Sequence, residues 1–251
     1  MRIIQVNDYA DMSQKAAELI SDQVRKKRDS VLGLATGETM LGTYAALVKE
    51  YQQNNTSYRE VRTFNLDEYI GLDATHPNSY RHYMHEQLFR FLDIPLSQTH
   101  IPNGCAPLLE EECARYEQLI EQCGGIDLQL LGIGQNGHIG FNEPGTLFAS
   151  TTHVVRLSES TRKANARFFS SADEVPTHAI TMGIATIMKS KQILLLASGE
   201  RKAWAISRLL EGEVTTDVPA SILKTHPNVI MIADDEALSL VSQEKRKVYR
   251  P

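Results

Sequence analysis

The chain lacks long apolar runs, a disulfide framework and metal-binding spacings, and each lack narrows what it does. No stretch of its 251 residues approaches the length of a membrane span. Cys105, Cys113 and Cys123 are an odd count without a C-x-x-C spacing. That pattern points to reduced thiols in a cytosolic protein rather than to a disulfide frame or a zinc site. There is no H-E-x-x-H, no nucleophile elbow and no P-loop lysine. His82 and His85, three apart on a helix-like stretch, read as a polar helix face rather than as ligands. The opening Met1-Arg2-Ile3-Ile4-Gln5-Val6 reads directly as a strand and has none of the regions of a signal peptide. Repeats, low-complexity tracts and long linkers are absent as well. The expectation is one cytoplasmic domain with no membrane partner.

What is present is ordinary in amount and distinctive in order. Hydrophobic residues make up 42% and charged residues 23%, enough to bury a large core. A net charge of −5 argues against broad nucleic-acid binding, although a few local cations could still hold a small anion. Strand-like and helix-like segments alternate. Buried strands are expected at 3–6, 31–35, 61–66, 126–131, 192–197 and 228–233, with a short one at 154–157. Helices are expected at 11–27, 40–51, 80–92, 107–122 and 160–169, from 198 to 210, and briefly from Glu236; 179–188 is ambiguous. The pattern predicts an α/β fold, an open, mostly parallel sheet with helices on both faces in three Rossmann-like layers.

The stretch from Gly132 to Gly145 organises this chain. It follows the apolar run Ile126–Leu131 and places Asn136, His138, Asn142 and Glu143 among five glycines. Glycine permits positive φ and close approach to a ligand. Gly132, Gly134 and Gly137 also spell the dinucleotide fingerprint, but no helix pattern begins there, and Pro144-Gly145 is loop chemistry. His138 moves protons near neutral pH, with Asn136 and Glu143 able to orient or polarise it. The plain alternative is a glycine-rich turn around a hydrogen-bonded histidine.

Three further strand ends carry polar groups. Asp67 follows a buried strand and is a credible proton-abstracting base, while Glu68 beside it reads equally well as a cap or turn residue. Thr36-Gly37-Glu38-Thr39 lies between strand and helix, where free amides attract anions, or where a threonine simply caps the helix. Lys202 sits in the first turn of a helix, an end the dipole makes unfavourable for a cation, so a bound anion would explain it. Arg167 is either an ordinary helix-face arginine or a bidentate phosphate clamp. In an open α/β sheet such strand ends gather at one edge, where ligands bind.

Four segments together resemble the glucosamine-6-phosphate deaminase family. They are Phe64–Gly71, Leu131–Pro144, Thr161–Phe169 and Gly199–Ala203, in family order and spread over nearly the whole chain. The resemblance implies conversion of α-D-glucosamine 6-phosphate and water to fructose 6-phosphate and ammonia, with no redox or organic cofactor and no metal. It implies that His138, supported by Glu143 and Asn136, opens the pyranose ring. Asp67 would then carry the C2 proton to C1 through a cis-enolamine, while the Thr36–Thr39 loop, Arg167 and Lys202 hold phosphate. It also implies a helical lid over about 152–182.

Two departures stand out. Many members carry Asp where this chain has Asn136, which could accept a hydrogen bond from the imidazole but brings no charge. The basic pair through which longer, hexameric members bind N-acetylglucosamine 6-phosphate matches His153 and Val155 here, and the C-terminal Lys247–Pro251 is short. The expectation is a non-allosteric monomer or low-order homo-oligomer. The rivals are a 6-phosphogluconolactonase, which shares the fold but needs no base at C2, and a sugar-phosphate sensor. The sensor would need a DNA-binding segment, for which a chain beginning at its first strand leaves no room.

Overall fold

The segments Leu128-Gln129-Leu130-Leu131, Gln192–Ala197 and Val229–Asp234 are too uniformly apolar to present one face to water. Strands of that kind belong in a parallel sheet covered on both sides. The computed structural model, which describes residues 1–248, builds them that way. In chain order the elements are β1 (Arg2–Val6), α1 (Tyr9–Lys26), β2 (Val31–Leu34), α2 (Glu38–Asn54), β3 (Arg62–Asn65), β4 (Asp67–Tyr69), α3 (Tyr80–Gln87), β5 (Thr99–His100) and α4 (Leu109–Gln122). There follow β6 (Leu128–Gly132), β7 (His153–Arg156), α5 (Glu159–Asn165), β8 (His178–Thr181), α6 (Ile184–Met188), β9 (Gln192–Ala197), α7 (Ala203–Glu211), β10 (Val229–Asp234) and α8 (Gln243–Val248).

Seven strands form one sheet in the order β1-β10-β9-β6-β2-β3-β5, with every neighbouring pair parallel. The chain first moves in one direction across the sheet, from β1 to β2, β3 and β5. It then returns through β6, β9 and β10. Right-handed crossovers therefore place α1 and α2 on one face and α4 and α7 on the other. Within α1, Met12, Ala16, Ile20 and Val24 are buried at the spacing of one helical face, as the pattern predicted. Burying a side chain such as Ile20 contributes roughly 1.5–3 kcal/mol. Asp8 caps the helix by accepting the Asp11 N–H at 2.9 Å.

The sheet departs from the sequence reading beside the site. After Asn65 the chain leaves the main sheet, and Asp67–Tyr69 pairs antiparallel with β8, which pairs in turn with β7. Of this second, three-stranded sheet only β7 was read, as the short strand expected at 154–157; β4 went unread because Asp-Glu-Tyr has no apolar alternation to mark a strand. The ambiguous 179–188 stretch resolves into β8 and α6. The segment expected as a helical lid is only partly helical. Its ends are β7 and β8, the latter paired with β4, with α5 and the short turns Ala166–Phe168 and Ala172–Glu174 between them.

Three helix expectations are corrected. The helix expected from 198 begins as α7 only at Ala203; Glu200–Lys202 is a separate 3-10 turn, so Lys202 precedes the helix rather than lying in its first turn. The helix expected over 80–92 ends at Gln87, because Leu88 leaves the helical region at φ −141°, and Phe89–Phe91 forms a separate turn. The helix expected from Glu236 is a series of turns, in which the Asp234 carboxylate accepts the Ala237 N–H and so bends the chain. Helix α8 begins only at Gln243. Of the short C-terminal segment, Tyr249, Arg250 and Pro251 lie outside the described residues.

Candidate active site

Strands β9, β6, β2 and β3 are adjacent, and each ends in one of the four polar segments. Their loops line one cleft of about 1350 Å³. Thr36, Gly37, Glu38, Thr39, Asp67, Asn136, His138, Arg167 and Lys202 all face it. Glu143 does not line the cleft and stands behind His138. The convergence expected from strand order is therefore present.

Asp67 begins β4 opposite Thr181 of β8 and is 6% exposed. No hydrogen bond to its carboxylate comes from the described residues. Burial, with a smaller push from the charge of Glu68, raises its pKa from 3.8 to about 8. Glu68 is also buried, yet it is fully engaged. Its carboxylate accepts the Tyr69 N–H at 2.8 Å, the Tyr80 N–H at 2.9 Å and the Arg81 N–H at 2.9 Å. With Ser79, which accepts the His82 N–H at 3.1 Å, it caps α3. Neighbouring carboxylates thus divide the labour: Glu68 is a cap, and Asp67 is left open to the cleft.

His138 is set by glycines. Its ring lies over Gly134, where an added Cβ would come within 2.2 Å of the imidazole. Gly137 turns the chain back at φ +85°. No helix follows, so the dinucleotide reading fails on its context. His138 Nδ1 stands 3.6 Å from Glu143 Oε2, just outside hydrogen-bond range. Glu143 accepts hydrogen bonds from Asn136 Nδ2 at 2.8 Å, Ser158 Oγ at 3.2 Å and Thr161 Oγ1 at 2.5 Å. Burial pushes its pKa up, but His138, Thr161 and Asn136 outweigh that and hold it at about 2.

Asn136 does not accept from the imidazole, contrary to the expectation. Its Oδ1 accepts the backbone N–H of His138 at 3.2 Å, and its amide group donates to Glu143. A short polar side chain two residues before the histidine closes naturally on the local backbone.

At the other end of the cleft, Gly37 precedes α2 at φ +98° and brings no side-chain cap, which leaves the helix's first amides open. Lys202 Nζ donates to the Ile133 carbonyl at 2.7 Å. Burial, and then the charge of Arg201, lowers its pKa. Arg167 reaches across from the turn after α5 and pairs with Glu38 Oε2 at 2.9 Å.

Sequence reasoning missed the groups that tie the far wall together. Tyr80 lines the cleft and donates to the Tyr69 hydroxyl at 3.3 Å, and Asn165 Nδ2 donates to the same hydroxyl at 2.8 Å. Phe141 and Phe169 pack on Tyr69, with centroids 5.9 and 6.0 Å away. The available signal was weak, a tyrosine in each of two short polar segments.

A glycine-framed histidine and a buried carboxylate facing an anion-attracting helix start define a sugar-phosphate isomerase type of site, and the whole chain agrees. The chain belongs to the family of glucosamine-6-phosphate isomerases and 6-phosphogluconolactonases, whose model matches residues 7–231. Within it the chain is 68% identical to a glucosamine-6-phosphate deaminase of Geobacillus sp. (strain WCH70), over 99% of both chains. A solved monomeric glucosamine-6-phosphate deaminase superposes with a TM-score of 0.94 at 53% identity, covering 96% of this chain and all of that one. A 6-phosphogluconolactonase from Trypanosoma cruzi shares the fold, with a TM-score of 0.78 at 20% identity, covering 96% of this chain and 97% of that one.

Proposed function

We propose that this enzyme converts α-D-glucosamine 6-phosphate and water to D-fructose 6-phosphate and ammonia, in the breakdown of amino sugars. The observation that carries the reading is one cleft holding a buried carboxylate with no donor among the described residues, a carboxylate-backed histidine and an anion-attracting helix start. Lactone hydrolysis has no use for a base such as Asp67 aimed at a carbon acid.

The substrate phosphate sits at the open amides and hydroxyls of Thr36–Thr39, with Lys202 and Arg167 supplying positive charge. His138 moves the proton between the anomeric hydroxyl and the ring oxygen, which opens the ring. Glu143, held ionised by its donors, stabilises the imidazolium formed on the way. Asn136 fixes the backbone of His138 and braces Glu143. Asp67, once ionised, takes the C2 proton. The resulting cis-enolamine is reprotonated at C1, which leaves an imine at C2. Water hydrolyses that imine to the ketone and ammonia, and atoms balance.

Residues 152–182 act as the lid of this single domain. Thr161 bonds Glu143, Arg167 bonds Glu38 and Phe169 packs on Tyr69, so closing this segment completes both ends of the site. The protein works as a non-allosteric monomer or low-order homo-oligomer in the cytoplasm. The monomeric relative supports this, as does the place of His153 and Val155 within β7, where neither forms a basic pair. No described helix is long and apolar enough to cross a membrane.

The test is the yield of fructose 6-phosphate and ammonia from glucosamine 6-phosphate. Equal yields from the intact protein, with hyperbolic kinetics unaffected by N-acetylglucosamine 6-phosphate, are expected. Binding without turnover would overturn the reading.

A further inference from the structure

The anion end contains a negative charge that phosphate binding does not need. Glu38 is the first residue of α2, among the amides that would receive phosphate. A carboxylate here gains from the helix dipole without any partner. Instead its side chain extends across the cleft to Arg167, which comes from the lid side, and the two meet at 2.9 Å with 57% and 54% of their side chains exposed. Lys202, a second cation of this end, is turned to the Ile133 carbonyl. Glu38 thus occupies the guanidinium that the substrate needs.

We infer that Glu38 is a specificity-determining residue of the anion end, a built-in competitor whose carboxylate holds Arg167 until a phosphoryl group displaces it. The inference rests on the assignment of phosphate to this end of the cleft. The exchange replaces a single charge on two oxygens by a dianion with three. A dianionic phosphoryl group gains by the exchange, whereas a monoanion merely matches what Glu38 already supplies. The competitor therefore lowers affinity for every anion by about the same factor, so a weakly held monoanion falls below useful binding while a dianion stays bound. The same pairing holds the lid side against the phosphate loop, so Arg167 stays within reach of a phosphoryl group that displaces Glu38.

The test uses inorganic phosphate and acetate on the intact protein, read by calorimetry and by the fluorescence of Trp204, the single tryptophan, which lines the cleft. Glu38→Gln is expected to bind phosphate about threefold to fivefold more tightly, the scale of an exposed charge pair, and to bind acetate more tightly by a similar factor. In an Arg167→Met background the same change should bring no gain. Unchanged or weaker phosphate binding in Glu38→Gln would overturn the inference, as would a gain that persists without Arg167. Neither titration requires turnover, so failure here is distinguishable from failure of the deaminase reaction.

Discussion

Asp67 and Glu143 are both removed from solvent beside the same cleft, at 6% and 16% exposure, yet their surroundings drive them in opposite directions. No described donor serves the carboxylate of Asp67, and burial lifts its pKa to about 8. Glu143 takes hydrogen bonds from Asn136, Ser158 and Thr161, faces His138, and stays ionised down to about pH 2. Burial pushes both pKa values up; the donors that surround Glu143, and that Asp67 lacks among the described residues, reverse the outcome. One carboxylate keeps its proton up to about pH 8 and is the proposed base. The other is ionised down to about pH 2 and is the proposed support of His138.

The sharpest way to break this comparison is Asp67→Asn. We expect kcat to fall by about 10³-fold or more, with exchange of the C2 hydrogen in heavy water lost to the same extent. The variant should also change the pH dependence of stability. The folded pKa of about 8 lies above the ordinary 3.8, so the folded parent keeps a proton that the unfolded chain releases. Its stability should fall as pH rises between those values. The Asn variant, with nothing to ionise, should match the parent at acid pH and melt higher by about 4 °C or more in alkali, as thermal scans would show. In the parent, kcat/KM should climb to a plateau above about pH 8, since the free enzyme must lose that proton.

Glu143→Gln removes the fixed anion. The expected loss in kcat is about 10²-fold, with ring opening becoming limiting; supplying an open-chain analogue should bypass part of the loss. Here the folded pKa is depressed, so the stabilising contribution is present above the ordinary 4.5 and disappears as pH falls through about 2. Urea melts of parent and variant should diverge near neutrality and converge in acid.

Glu68→Gln tests whether the neighbouring cap tunes the base. A neutral amide keeps one acceptor where three N–H groups converge, so a loss of about 1–3 kcal/mol is expected in urea unfolding. Removing the Glu68 charge should also lower the pKa of Asp67, moving the acid limb of kcat/KM downward. A limb that stays in place would leave burial as the sole cause.

Asn136→Asp should have the smallest effect. It places a second carboxylate where Asn136 Nδ2 now donates to Glu143 at 2.8 Å. Like charges so close resist ionising together. The pH–rate profile should therefore shift upward by about one unit, with kcat changed less than about tenfold. An unshifted profile would show that the charge at position 136 plays no part in supporting His138.

The chemistry was legible in the chain because it sits at strand ends. The run Gln192–Ala197 reads as a strand with the bounds it has in the fold, and the polar loops after four such runs meet as an open parallel sheet requires. The glycines around His138 were legible too, since Gly134 and Gly137 do what only glycine allows. Less legible were elements whose partner is distant. Asp67–Tyr69 is a strand only because β8 lies beside it. The pairing of Glu38 with Arg167 joins positions far apart in the chain, and the support of Glu143 by Thr161 joins a loop to α5. None of these leaves a periodic trace.

By itself the sequence determined the layered parallel architecture, the order of the strands along the chain and the residue types at the cleft. Those follow from local apolar runs and from backbone chemistry. The protonation behaviour of the site was decided only by the tertiary structure. Whether a carboxylate is a base near neutrality or a permanent anion depends on which donors are folded against it, and Asp67 and Glu143 received opposite answers.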